Sequence, residues 1–191
     1  MNTTLLETRQ RVFGPGYVGA SLARVQLDDK IAAAIRSYIK QPKHWLVIFG
    51  PPGTGKTYLA SALIESFRLD NLRNFHWLDL LGQIKSKIKV GRDASLELAY
   101  YSDYEVFIVD DIACGTNTEW QESMLLELLE HRESRITIFT TNLSYSDFAE
   151  KFHPRLVSRL FDKRNTLVDM TGCTDYRTEG RPKHKEPVLN A

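Results

Sequence analysis

Between the apolar run WLVIF (45–49) and the helix-forming run TYLASALIESF (57–67) lies GPPGTGKT, residues 50–57. Gly50, four residues, Gly55, Lys56 and Thr57 have the spacing of a loop that closes on phosphate. The chemistry asks for this setting. Small residues let backbone N–H groups turn inward around an anion, and the helix that follows presents its positive end to it. Lys56 then reaches the β- and γ-phosphates, and the Thr57 hydroxyl is offered to Mg²⁺. A glycine-rich turn joining strand to helix is the plainer alternative, and the complete pattern in this context favours ATP or GTP. The contacts expected for the nucleotide are Gly50, Pro51, Pro52, Gly53, Thr54, Gly55, Lys56, Thr57 and Tyr58.

A phosphate loop of this kind needs a parallel sheet to carry it. Besides WLVIF, four short runs rich in β-branched and aromatic residues recur: NFHWL (74–78), EVFIVD (105–110), RITIFT (135–140) and TLVDM (166–170). They are continuous rather than alternating, so both faces are buried, and the segments between them, such as WQESMLLELLEHR (120–132), have helical period. That is a three-layer αβα architecture. LDDKIAAAIRSYI (27–39) makes a leading helix. With 191 residues the chain fits one such domain, expected over 21–177, with residues 1–20 as a loose N-terminal arm and 178–191 as a polar, proline-containing tail.

Two carboxylates, Asp110 and Asp111, end the run EVFIVDD, where ligands of open α/β sheets gather. Asp110 is expected to hold Mg²⁺ and Asp111 to orient or deprotonate the attacking water; a cap on the following turn is the alternative. Asn142 ends the run RITIFTTN and can order that water or touch the γ-phosphate if its strand lies between the other two. As a helix cap it would be redundant, because Ser144 and Asp147 already make a capping box.

HPRLVSRLFDK (153–163) reads as a short helix with Leu156 and Leu160 inward and Arg155 and Arg159 sharing one face. The arginines are either solvated or aimed at phosphate. Their distance along the chain from the loop suggests a neighbouring subunit's γ-phosphate, an arginine lent in trans.

Lys plus Arg number 25 against 24 Asp plus Glu, so whole-molecule charge names no polyanionic partner and a local patch is required. LLGQIKSKIKVGR (80–92) supplies one in Lys85, Lys87, Lys89 and Arg92, which would give salt-sensitive, sequence-tolerant nucleic-acid contacts or else a solvated face. Phe75 and Trp77, close by, are expected in the core. Cys114 and Cys173 have neither metal-ligand nor redox spacing. With no signal-peptide pattern and no membrane-length apolar run, a cytoplasmic location is expected.

GPPGTGKT, VFIVDDIACGTNTEWQ, TTNLSYSDF, RLVSRLF and TDYR, in this order and spacing, resemble the DnaC-like helicase loaders and their IstB-like transposition relatives in the AAA+ superfamily. The likeness runs from about YVGASL to Arg177. It implies a P-loop NTPase with five parallel strands in order 5-1-4-3-2 and little or no helical lid. It also implies Walker A at 50–57, Walker B at Asp110 and Asp111, a sensor at Asn142, a finger at Arg159 assisted by Arg155, and a nucleotide contact from Arg177. Family loaders use ATP and Mg²⁺ to assemble, grip single-stranded DNA and deliver a replicative hexameric helicase. They usually carry a sizeable N-terminal docking domain, whereas about 20 residues precede the likeness here. An IstB-like helper of a transposase and a nucleotide-gated adaptor with negligible hydrolysis are the competing expectations. A small-molecule kinase is disfavoured, because no second basic lid motif is found.

Overall fold

The computed structural model describes residues 3–25, 27–67, 71–116 and 118–178. Five strands, β1 (Trp45–Phe49), β2 (Leu72–His76), β3 (Val106–Asp110), β4 (Ile136–Thr141) and β5 (Thr166–Asp169), form one sheet in the order β2-β3-β4-β1-β5. Every pairing is parallel. Side-chain alternation divides the core into two sets. Leu46, Ile48, Val106, Ile108, Ile138 and Val168 face α2 (Asp29–Lys40) and α3 (Lys56–Leu63). Val47, Phe49, Phe107, Val109 and Phe139 face the other way, toward α4 (Trp77–Ile88), α6 (Glu119–His131), α7 (Tyr145–Lys151) and α8 (Pro154–Leu160). Strands β1, β3 and β4, apolar on both faces, are central, whereas β2 and β5 form the edges and are partly exposed, so burial on both faces holds for three of the five expected strands. The helical crossovers supply the two outer layers. Among the described residues no helix follows β5, and none is long and apolar enough to cross a membrane.

Two local expectations change. The second strand ends at His76, and Trp77 opens α4. Trp77, Leu80, Leu81 and Ile84, all buried, recur at helical spacing, so helix packing claims the tryptophan that the apolar run had assigned to the strand. Phe75 and Trp77 are core residues, as expected.

The stretch expected as a loose arm contains a helix, α1 (Thr3–Phe13). Its Arg9 side chain is only 1% exposed and donates to the carbonyls of Ser61 (3.3 Å) and Ala62 (3.4 Å) and to Glu65 Oε2 (3.0 Å). Those carbonyls lie at the C-terminal end of α3, where unpaired acceptors and the helix dipole favour a cation. The helix that carries the phosphate loop is thereby held at its far end by the N-terminal segment. The tail expected over 178–191 falls, from residue 179 onward, outside the described residues.

A second buried arginine fixes the strands that carry the acidic and amide groups. Arg132, fully buried, follows α6 and donates to Thr137 Oγ1 (2.9 Å) and to the carbonyls of Ser102 (2.9 Å), Ile136 (2.6 Å) and Glu105 (3.3 Å), as well as that of Tyr104. It also lies over the Phe107 ring at 5.4 Å. Burial lowers its pKa from the usual arginine value to about 10, so it stays a cation at neutral pH. The loops entering β3 and β4 are thus bound to one guanidinium. Arg132→Met should orphan several buried acceptors and lower stability by about 3 kcal/mol or more. A urea midpoint that hardly moves would contradict this anchoring role.

Candidate nucleotide-binding site

The phosphate loop leaves β1 at Gly50 and enters α3 at Lys56. Gly50 has φ +140°, and a Cβ there would lie 2.8 Å from the Met170 carbonyl carbon, so only glycine lets the end of β5 pass this close. At Gly53, φ +83°, an added Cβ would fall 1.9 Å from Asp175 Oδ1. The TDYR segment therefore lies against the loop: Tyr176 N–H donates to Gly53 O (3.0 Å), and Asp175 Oδ1 accepts from Arg177 N–H (2.8 Å). Thr54 Oγ1 donates to Pro51 O (2.9 Å), while Pro51 and Pro52 face solvent. Tyr58 extends its hydroxyl toward Gly19 O (3.5 Å), tying α3 to the segment before α2.

Lys56 is 6% exposed, and its ammonium donates to the carbonyls of Gly50 (2.8 Å) and Pro51 (2.6 Å). Burial lowers its pKa to about 8; Asp111 and Asp110 oppose that, and the charge of Arg177 adds to it. Arg177, following the last strand, thus lies within electrostatic reach of the loop lysine.

β3 delivers Asp110 beside α3. Thr57 Oγ1 donates to Asp110 Oδ1 and Oδ2 at 2.9 and 3.0 Å, and Thr140 Oγ1, from β4, donates to Oδ1 at 2.6 Å. Asp111 turns back with φ +58°, held by its N–H to Thr140 Oγ1 (2.8 Å). β4 lies between β1 and β3, the condition set for the sensor, and Asn142 Nδ2 at its end donates to Asp111 Oδ1 (2.5 Å). Ser144 and Asp147 make the capping box of α7. The loop lysine, the hydroxyl, both carboxylates and the amide meet at the C-terminal edge of three adjacent strands. A cleft of about 480 Å³ among Tyr100, Asp103, Tyr104, His131 and Arg135 lies at the opposite edge, before β3 and β4, away from this chemistry.

α8 places Leu156 and Leu160 in the core and Arg155 and Arg159 outside. Both arginines bind one oxygen, Glu130 Oε1 of α6, Arg155 at 3.0 Å and Arg159 at 2.7 Å. The helix also caps its own start, since His153 Nδ1 accepts from Arg155 N–H (3.2 Å). The basic patch is less uniform than the sequence implies. Lys85 lies 4.7 Å over the Trp120 ring, and Arg92 pairs with Glu97 at 2.8 Å. Lys87 and Lys89 are exposed; four residues apart, Lys85 and Lys89 share a side, and Lys87 does not.

Sequence reasoning did not find His76, Cys114, Glu130, Thr140 or Asp175. Only His76 carried a signal, as a polar residue ending a strand at the edge where ligands gather.

The IstB-like ATP binding protein family matches residues 22–171. The chain belongs to that family. An ATP-binding protein of insertion sequence IS21 from Pseudomonas aeruginosa is 29% identical over 150 residues, 75% of this chain and 56% of that protein. The chain thus spans little more than half the length of this curated relative. Among solved structures, the DnaC helicase loader superposes with a TM-score of 0.68 at 23% identity, covering 81% of this chain and 98% of that one. DnaI superposes with a TM-score of 0.67 at 20% identity, covering 83% and 95%. These likenesses place the IstB-like chain in the AAA+ P-loop fold.

Because the unliganded Lys56 amine is neutral above about pH 8, ATP bound there must take up a proton to regain the ammonium. ATP affinity should be full below that pH and fall as pH rises through it, by up to about tenfold per unit. Titration calorimetry in buffers of different ionisation enthalpy checks this. A flat profile with no proton uptake would contradict the buried, depressed lysine.

Proposed function

We propose that this IstB-like protein hydrolyses ATP in a self-assembled form on DNA. The observation that carries the reading is the meeting of Lys56, Thr57, Asp110, Asp111 and Asn142 at one edge of the sheet. The Thr57 hydroxyl and Asp110 carboxylate are an all-oxygen donor set that suits Mg²⁺. When bound, Mg²⁺ supplies positive charge to the β- and γ-phosphate oxygens. Lys56 transfers its hydrogen bonds from Gly50 and Pro51 to the phosphates. Asp111, oriented by Asn142, accepts a proton from the attacking water as the bond from the γ-phosphorus to the bridging oxygen breaks, giving ADP and phosphate. Aspartate is one methylene shorter than the more usual glutamate, which suits slow or partner-dependent turnover. Arg177 senses the nucleotide from above the loop.

Arg159, assisted by Arg155, acts on a neighbour's nucleotide. Glu130 parks both arginines within their own chain, and an exposed pair of this kind is worth about 1 kcal/mol or less, so assembly can exchange it for phosphate. Lys85, Lys87, Lys89 and Arg92 form the DNA-contacting edge, and the domain runs over 21–177. Two clients fit. The loader fold suits delivery of a replicative hexameric helicase with single-stranded DNA. The insertion-sequence relative favours a helper that recruits a transposase to target DNA. Filter binding separates them, since preference for single strands supports the first and for duplex the second. A nucleotide-gated adaptor would bind ATP without turnover on either DNA.

Lys56→Ala should abolish ATP binding, whereas Arg159→Ala should keep binding and lower turnover about 10³- to 10⁵-fold under assembling conditions. Mixing Arg159→Ala with Asp111→Asn should restore part of the activity, because one intact half-site of each kind then meets. Full turnover by the Arg159 variant alone, or no rescue on mixing, would sink the trans assignment.

A further inference from the structure

We infer that His76, Asp111 and Cys114 form a second cation site, one for zinc or a similar borderline transition metal, and that filling it stops hydrolysis. One ligand atom from each residue, an imidazole nitrogen, a carboxylate oxygen and the Cys114 sulfur, lies within 4.8 Å of the others. His76 Nε2 and Asp111 Oδ2 are 3.6 Å apart. All three side chains are half-buried, reachable from solvent yet partly shielded from it.

The backbone holds this grouping from three directions. His76 ends β2 directly opposite Asp110 in the register of β2 with β3, which brings its ring beside the next residue, Asp111. Asp111 and Ala113 both adopt left-handed conformations, φ +58° and +66°, and the turn closes at Gly115, φ +79°. Such conformations cost non-glycine residues about 1 kcal/mol or more each and persist where the surroundings enforce them. Enforcement comes from between them: Ile112 is fully buried and its N–H donates to Thr140 O (2.8 Å). The result is a doubled-back turn that returns Cys114 to Asp111. Nothing in ATP hydrolysis calls for the thiol.

The donor set selects the metal. Nitrogen, sulfur and oxygen together suit Zn²⁺ or Co²⁺, whereas Mg²⁺ takes oxygen alone. A tetrahedral zinc keeps its ligand atoms roughly 3.5 Å apart, so side-chain movements on the order of 1 Å close the site, with water in the fourth position. In the metal-free chain the thiol is protonated and donates to Asp111; burial and the Asp111 charge raise its pKa to about 11, while the backbone N–H groups of Cys114 and Leu78 pull the other way. Forming the sulfur–metal bond releases that proton to solvent, and no redox change is involved.

The consequence for turnover rests on Asp111 orienting water, as proposed above; the binding itself does not. A carboxylate that ligates zinc cannot also accept the proton of an attacking water, so the metal acts as a brake even while ATP and Mg²⁺ are bound at Thr57 and Asp110.

The test uses the full chain freed of metal. Titration with Co²⁺ should give thiolate-to-cobalt charge-transfer absorption that saturates at one equivalent, persists in Cys173→Ser and disappears in Cys114→Ser. His76→Ala should weaken the same signal by about tenfold or more in cobalt affinity. With saturating Mg²⁺ and ATP, Zn²⁺ should inhibit the wild type, and Cys114→Ser, read against its own zinc-free rate, should require about tenfold more zinc for the same fractional inhibition. An unchanged cobalt spectrum in Cys114→Ser, or equal zinc inhibition of both proteins, overturns the site. Absence of any Mg²⁺-dependent ATPase would instead count against the proposed function, and the cobalt spectra would still decide whether the metal binds.

Discussion

The Asp110 carboxylate is where the architecture becomes a site. It ends β3, yet it takes hydrogen bonds from the first turn of α3 through Thr57 and from β4 through Thr140. Those bonds require three elements far apart in sequence to end at the same level, and the parallel register of β3 with β4 and of β4 with β1 ensures that they do. Thr140 has a further part, since the same hydroxyl accepts from the Asp111 N–H and so holds the turn that aims the second carboxylate. Slipping one strand by a residue would send Asp110 to the other face of the sheet and undo every contact at once.

Most of the fold is legible because β1, β3 and β4 are buried on both faces and so read as unbroken apolar runs, while the edge strands β2 and β5 are partly exposed. The loop, the acidic pair and Asn142 were legible because each adjoins such a run. What escaped notice depends on pairings between distant segments. Arg9 reads as one charge in a polar stretch until the end of α3 supplies its carbonyls, and for that reason the N-terminal helix was expected as a loose arm. Trp77 extends an apolar run that reads as strand, but its spacing with Leu80, Leu81 and Ile84 puts it in a helix. Glu130 has no local mark at all; its meaning lies in two arginines 25 and 29 residues away.

Two buried arginines brace the machinery differently. Arg9 neutralises a helix end through carbonyls and a carboxylate, and Arg132 relies on carbonyls, one hydroxyl and an aromatic face. In both, a cation is kept in the interior by converging carbonyl oxygens, some of which, such as Ala62 O and Ser102 O, also accept a backbone N–H. The arginines of α8, Arg155 exposed and Arg159 half-buried, are the opposite case, held by a single surface carboxylate and therefore easily redirected. Rigid elements carry the nucleotide groups, and weakly held ones face outward.

The Asp175 carboxylate fills the space that a Cβ on Gly53 would need. A side chain at Gly53 would displace that carboxylate and also meet a left-handed backbone that favours glycine, so the loop and its closing segment are fitted to one another. A loop grafted from a relative with a side chain at this position will fit only if its closing segment is grafted with it.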